Sequence, residues 1–123
     1  MNTVAALAWI ALGGAVGSVG RALIGLALAG RFPWATLVVN VAGSLFIGWL
    51  MSRFGATEPE HSARLLNLLA VGFCGGFTTF STFSWQTLDQ MLRGQWAAAV
   101  ANVLLSVTLC LLAVWLGFRL GRA

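Results

Sequence analysis

Four apolar runs occupy almost the whole chain, at about residues 4–29, 34–54, 63–93 and 95–120. Roughly 20 apolar residues in a helix cross the hydrocarbon core of a bilayer, so each run is long enough to span one. A backbone in lipid must satisfy its own N–H and C=O groups, which restricts such runs to helices or a closed barrel. Continuous apolar runs of this length, without strict alternation, read as helices. Gly and Pro break them at Gly30-Arg31-Phe32-Pro33, a polar loop runs from Gly55 to Ser62, and Arg93-Gly94 closes the third run. The expectation is an all-α membrane protein with four transmembrane helices, forming one domain over residues 1–123.

Charge supports lipid as the solvent. Only 8% of the 123 residues are charged and 59% are hydrophobic, where a soluble domain carries about a quarter charged residues. The basic residues are all arginine, and they are scattered: Arg21, Arg31, Arg53, Arg64, Arg93, Arg119 and Arg122. No basic patch forms, which argues against nucleic acid despite a pI of about 11.2. Single arginines at span ends anchor helices at the membrane surface. Arg53, Arg64, Arg119 and Arg122, offset by Glu58 and Glu60, fall on one side, against Arg31, Arg93 and Arg21 on the other. That near balance permits insertion in both orientations.

The remaining reactive residues are unremarkable. Cys74 and Cys110 lie inside apolar runs with no metal-ligand spacing and read as small buried hydrophobes. His61 sits in the polar loop beside Glu58 and Glu60 and reads as solvated. The N-terminus lacks a basic leader region, so it reads as the first span and not a removable signal.

The third run is anomalous. It holds Gly72, Gly75 and Gly76, then a Thr/Ser/Phe stretch, and such sequence weakens a helix. Irregular backbone at membrane depth is tolerated only inside protein or beside a water-filled cavity. A break is therefore expected near Gly75 to Thr79, with freed carbonyls for which a bound cation is one candidate partner. Polar residues elsewhere fall in stripes. Thr36, Asn40 and Ser44 share one face of the second span, and Asn102 and Ser106 one face of the fourth. Interhelical hydrogen bonding explains one such stripe; two stripes beside a hydroxyl-rich break suggest the walls of a polar pathway. Gly13, Gly14, Gly17 and Ser18 form small-xxx-small packing patterns. Arg21 reads equally as a snorkelling anchor or as a positive vestibule that attracts anions.

Phe77, Phe80 and Phe83 recur every third residue, interleaved with Thr78, Thr79, Ser81, Thr82 and Ser84. A phenyl ring is positive at its edge, and hydroxyl and amide groups donate hydrogen bonds to anions. Ring edges, Asn40 and the hydroxyls could replace the water shell of a small, hard anion.

Three motifs resemble the Fluc fluoride channels, also called CrcB proteins. Gly13-Gly14-Ala15-Val16-Gly17-Ser18-Val19-Gly20-Arg21 is similar to that family's glycine-rich first helix. Thr36-Leu37-Val38-Val39-Asn40-Val41-Ala42-Gly43-Ser44 is similar to its second-helix signature. Gly75-Gly76-Phe77-Thr78-Thr79-Phe80-Ser81-Thr82-Phe83-Ser84 resembles its most specific motif. The resemblance implies an antiparallel, dual-topology homodimer in a bacterial plasma (inner) membrane, in contact with lipid, with two pores for passive fluoride export. It implies a fluoride pathway of Thr36, Asn40, Phe80, Ser81, Thr82, Phe83, Ser84 and Ser106, and a vestibule at Arg21. It also implies a central structural sodium ion (Na+), held by the backbone carbonyls of Gly75 and Thr78. The chain departs from the family at Gln86, where glutamate is frequent, and at Ala22, where an aromatic residue is common.

The rival reading is a small four-helix, proton-coupled multidrug exporter. Such a pump needs a carboxylate within the membrane, and the first two spans contain none. An assembly subunit without transport explains the glycines but not the hydroxyl-aromatic stretch. No nucleophile–base pair or metal set suggests an enzyme.

Overall fold

The computed structural model describes residues 1–55 and 60–123. Every regular element among them is helical: α1 (Thr3–Ala27), α2 (Trp34–Phe54), α3 (Glu60–Leu66), a π-helical segment (Asn67–Cys74), α4 (Gly75–Phe77), α5 (Phe80–Leu92) and α6 (Trp96–Arg122). Four stretches are long and apolar enough to cross a membrane: Thr3–Ala27, Trp34–Phe54, Ser62–Leu92 and Trp96–Arg122. The chain is a multi-pass membrane protein.

Local chemistry sets several ends. The Asn2 side chain accepts the Ala5 N–H at 2.8 Å and caps α1. α5 ends at Leu92, and the turn that follows it holds Gly94, whose φ of 73° is a left-handed conformation that glycine adopts without steric cost. The polar connection after α2 is shorter than the sequence suggests. Glu60, His61 and Ser62 already belong to α3, because polarity alone does not break a helix and glutamate is a good helix former. The part of that loop at residues 56–59, including Glu58, lies outside the described residues.

The helices associate as two pairs. α2 lies along α6, while α1 lies along the π-helical segment and α4. Glycine permits both close approaches. A Cβ at Gly13 would overlap the Leu68 carbonyl, and one at Gly17 the Phe73 carbonyl. Across the other pair, a Cβ at Gly48 would overlap the Val114 carbonyl and one at Gly117 the Leu45 carbonyl. These are the contacts expected where backbones pack without a hydrophobic driving force. A small core of Leu50, Ala70 and Cys74, flanked by Phe46 and Phe73, joins the pairs.

Gly75 and Gly76 are helical; the extended residues of the third span are Thr78 (φ −86°, ψ 159°) and Thr79 (φ −155°, ψ 112°). Glycine's weak helix propensity is overridden here because Gly76 is clasped against Gly14 and Ser18 of α1. Past these two residues the chain changes partner: α4 packs on α1, whereas α5 packs on α6.

Candidate functional site

Thr79 is the centre of the polar interior. It is buried, and the Asn40 side chain grips its backbone from α2. Asn40 Oδ1 accepts the Thr79 N–H at 2.7 Å, and Asn40 Nδ2 donates to the Thr79 carbonyl at 3.2 Å. One carboxamide thus supplies the partner that the Thr79 N–H lacks and adds a second bond to the Thr79 carbonyl. The Thr79 hydroxyl accepts the Thr82 N–H at 3.2 Å, capping α5, and donates to Thr82 Oγ1 at 3.0 Å. Ser81 Oγ lies 3.3 Å from the same hydroxyl.

These bonds release two carbonyls. In a continuous helix the Thr79 N–H would bond the Gly75 carbonyl, and the Thr82 N–H the Thr78 carbonyl. Both N–H groups are diverted, to Asn40 and to the Thr79 hydroxyl. The Gly75 and Thr78 oxygens thereby lose these helical partners, and backbone carbonyl oxygens are hard donors, the kind that suit a hard cation. Cys74 behaves differently, its carbonyl accepting both the Thr78 N–H at 2.9 Å and the Thr78 hydroxyl at 2.8 Å. No cluster of His, Cys, Asp or Glu able to hold a metal occurs among the described residues.

Two cavities meet at Thr79. One, of about 470 Å³, is lined by Asn40, Ser44, Gly75, Thr78, Thr79, Phe80, Phe83, Ser106 and Cys110 among others. The other, of about 260 Å³, is lined by Arg21, Thr36, Thr79, Thr82 and Gln86 with the α1–α2 connection. The Thr36/Asn40/Ser44 stripe is therefore divided, Thr36 facing one cavity and Asn40 and Ser44 the other. Ser81 and Ser84 line neither; Ser84 Oγ donates to the Phe80 carbonyl within α5 at 2.9 Å. Phe80 and Phe83 have ring centroids 5.4 Å apart at 46°. Phe83 is buried, whereas Phe80 is 76% exposed on a single chain.

Arg21 reaches inward. Its Nε donates to the Gly76 carbonyl at 3.1 Å, placing a cation at the end of a helix segment, where the dipole favours one. Ser106 belongs to a buried chain: its hydroxyl donates to Asn102 Oδ1 at 3.4 Å, Asn102 Nδ2 donates to Thr87 Oγ1 at 2.9 Å, and Thr87 Oγ1 donates to the Phe83 carbonyl at 2.8 Å. This chain ties α6 to the α5 turn that carries Phe83. The sequence marks Thr79 as one hydroxyl of the expected break but not as its centre, and does not mark Thr87. For Thr79 a signal was available, since a threonine immediately before an apolar helical run is an N-cap. For Thr87 none was.

The charged groups give the rival reading no support. Of the three acids, Glu58 and Glu60 precede the third span, and Asp89 pairs with Arg93 at 2.9 Å at the exposed end of α5. Asp89, the one acid within the third span, is thus held by an arginine near that span's end.

The chain matches the family model described as "CrcB-like protein, Camphor Resistance (CrcB)" over residues 8–118. It is 47% identical to a protein of Magnetococcus marinus over 120 residues, covering 94% of this chain and 97% of that one. It is 50% identical to one of Opitutus terrae over 119 residues, 89% and 86% of the two chains. It is 48% identical to one of Geobacter sulfurreducens over 118 residues, 92% and 94%. Each of these relatives is named "Fluoride-specific ion channel FluC".

Proposed function

Because the chain belongs to the CrcB family, we propose that it is a fluoride-selective channel of the bacterial plasma membrane, which lowers cytoplasmic fluoride by passive export. The observation that carries this reading is the buried Thr79–Asn40 junction between two cavities, lined by amide, hydroxyl and aromatic groups and free of carboxylate. Thr36, Asn40 and Thr82 supply donors and Phe80 and Phe83 supply ring edges, which suits a small anion shedding water. Ser106 borders the same path. Ser81 and Ser84 extend the hydroxyl series along α5, and Arg21 provides positive potential beside the inner cavity.

The working unit on this reading is an antiparallel homodimer of dual topology, with the third span broken mid-membrane at Thr78–Thr79. Two features support it. Phe80 is mostly exposed on one chain, so a wall built on its ring needs a second copy. Even α2, the best-covered span, buries only 33% of its most apolar window, leaving ample surface for a partner and for lipid. The freed Gly75 and Thr78 carbonyls fit a sodium ion, and a twofold axis would bring a second pair to it. Bound there, sodium would neutralise converging carbonyl dipoles between subunits; it carries no current.

The test is reconstitution in liposomes with a fluoride electrode. Fluoride efflux with no chloride efflux is expected; absent fluoride flux, or equal chloride flux, sinks the reading. In the same assay Phe80→Leu and Phe83→Leu are each expected to slow fluoride by about tenfold or more, since filter geometry and ring electrostatics are lost together. The dimer should persist on size exclusion. Unchanged flux in both variants would remove the rings from the pathway.

A further inference from the structure

We propose that Gln90, with Gln86 one turn before it, forms an outer station for a small inorganic anion, at the end of the bundle where the α1–α2 and α5–α6 connections meet. The proposal rests on the fluoride-channel reading and adds to it a residue and a place. Gln90 is only 4% exposed, yet neither its Oε1 nor its Nε2 has a hydrogen-bond partner. Gln86 Oε1 is likewise buried and unpaired. Buried polar groups are almost always satisfied, so an unpaired carboxamide calls for an occupant.

Both glutamines line a cavity of about 630 Å³ together with Arg31, Asp89 and Arg93. Asp89 is neutralised by Arg93, which leaves Arg31 to set the sign of the local potential. Gln86 also lines the inner cavity that holds Arg21, Thr36 and Thr82. The outer cavity therefore adjoins the proposed path through Gln86. A carboxamide offers two N–H donors and reorients readily, and a positive rim concentrates anions. A partly hydrated fluoride fits this chemistry better than a cation, which Arg31 would repel.

The experiment compares wild-type and Gln90→Leu full-length protein in liposomes, reading fluoride efflux over a range of fluoride concentrations. The variant's half-saturating concentration is expected to rise by about tenfold, the loss of one hydrogen bond to a charged group, with a smaller change in maximal flux. Its melting temperature in detergent should hold or rise, because leucine removes an unpaired amide. Should the leucine variant not be monodisperse, Gln90→Met, of similar volume and greater flexibility, gives the same comparison. An unmoved half-saturating concentration in a conducting variant overturns the station and assigns the amide to a structural water only. An equal fall in flux at every concentration also overturns it, as a general defect of the pore. Wild-type protein without fluoride flux defeats the channel reading itself, an outcome distinct from both.

Discussion

Asn40→Ala is expected to cut fluoride flux by about 100-fold. The side chain makes two hydrogen bonds to the backbone of one buried residue, at 2.7 and 3.2 Å. Alanine leaves the Thr79 N–H unpaired in a low-dielectric interior, at roughly 1–3 kcal/mol, and removes the second bond to the Thr79 carbonyl, which keeps its place as the first acceptor of α5. The extended pair then has no fixed geometry, and the donors around it lose their alignment. A loss of about 2–4 kcal/mol in positioning converts to roughly 30–1000-fold in rate. Asn40→Asp separates the two bonds. It still accepts the Thr79 N–H, but it sets an anion against the Thr79 carbonyl and against the transported ion. It should therefore conduct no better than alanine. Flux in liposomes, read beside the melting temperature of the same preparations, checks this: wild-type flux in Asn40→Ala would mean that the junction does not shape the path.

Gly17→Leu is expected to have the largest effect on assembly. A Cβ at this position would overlap the Phe73 carbonyl, so α1 and the π-helical segment must separate. Backbone cannot rotate away as a flexible side chain can, and overpacking of this kind costs about 3 kcal/mol or more. The variant should lose its monodisperse peak on size exclusion. Gly25→Ala is the control, because nothing lies within 4 Å of that Cβ position. It should keep the peak and could gain up to about 1 kcal/mol, alanine being the better helix former. Equal behaviour of the two variants would mean that the α1 contact does not hold the bundle together.

Much of this was legible in the residues. Four spans followed from apolar run length alone, since lipid permits few alternatives. The motifs around Asn40 and Phe80 pointed to the region that the structure fills with cavities. Other features were out of reach. Gly48 and Gly117 sit at the α2–α6 crossing, but nothing local in the sequence says which helices approach. The dividing of Thr36 from Asn40 depends on where Thr79 inserts between them, a contact across 39 positions of chain. The end of the polar loop is not marked in the sequence, because α3 begins within hydrophilic residues, where hydropathy carries no boundary. Gln90 carries no signal in the sequence; its burial without partners sets it apart.

The change of partner at Thr78 and Thr79 makes these residues the pin on which the third span passes from one helix pair to the other. One pin both fastens the third span and stands where the two cavities meet. Selectivity and mechanical integrity therefore cannot drift independently in this chain. A substitution that widens the passage also loosens the joint, and variants recovered for altered ion preference should tend to carry compensating changes along α1 or α6, far from any ion.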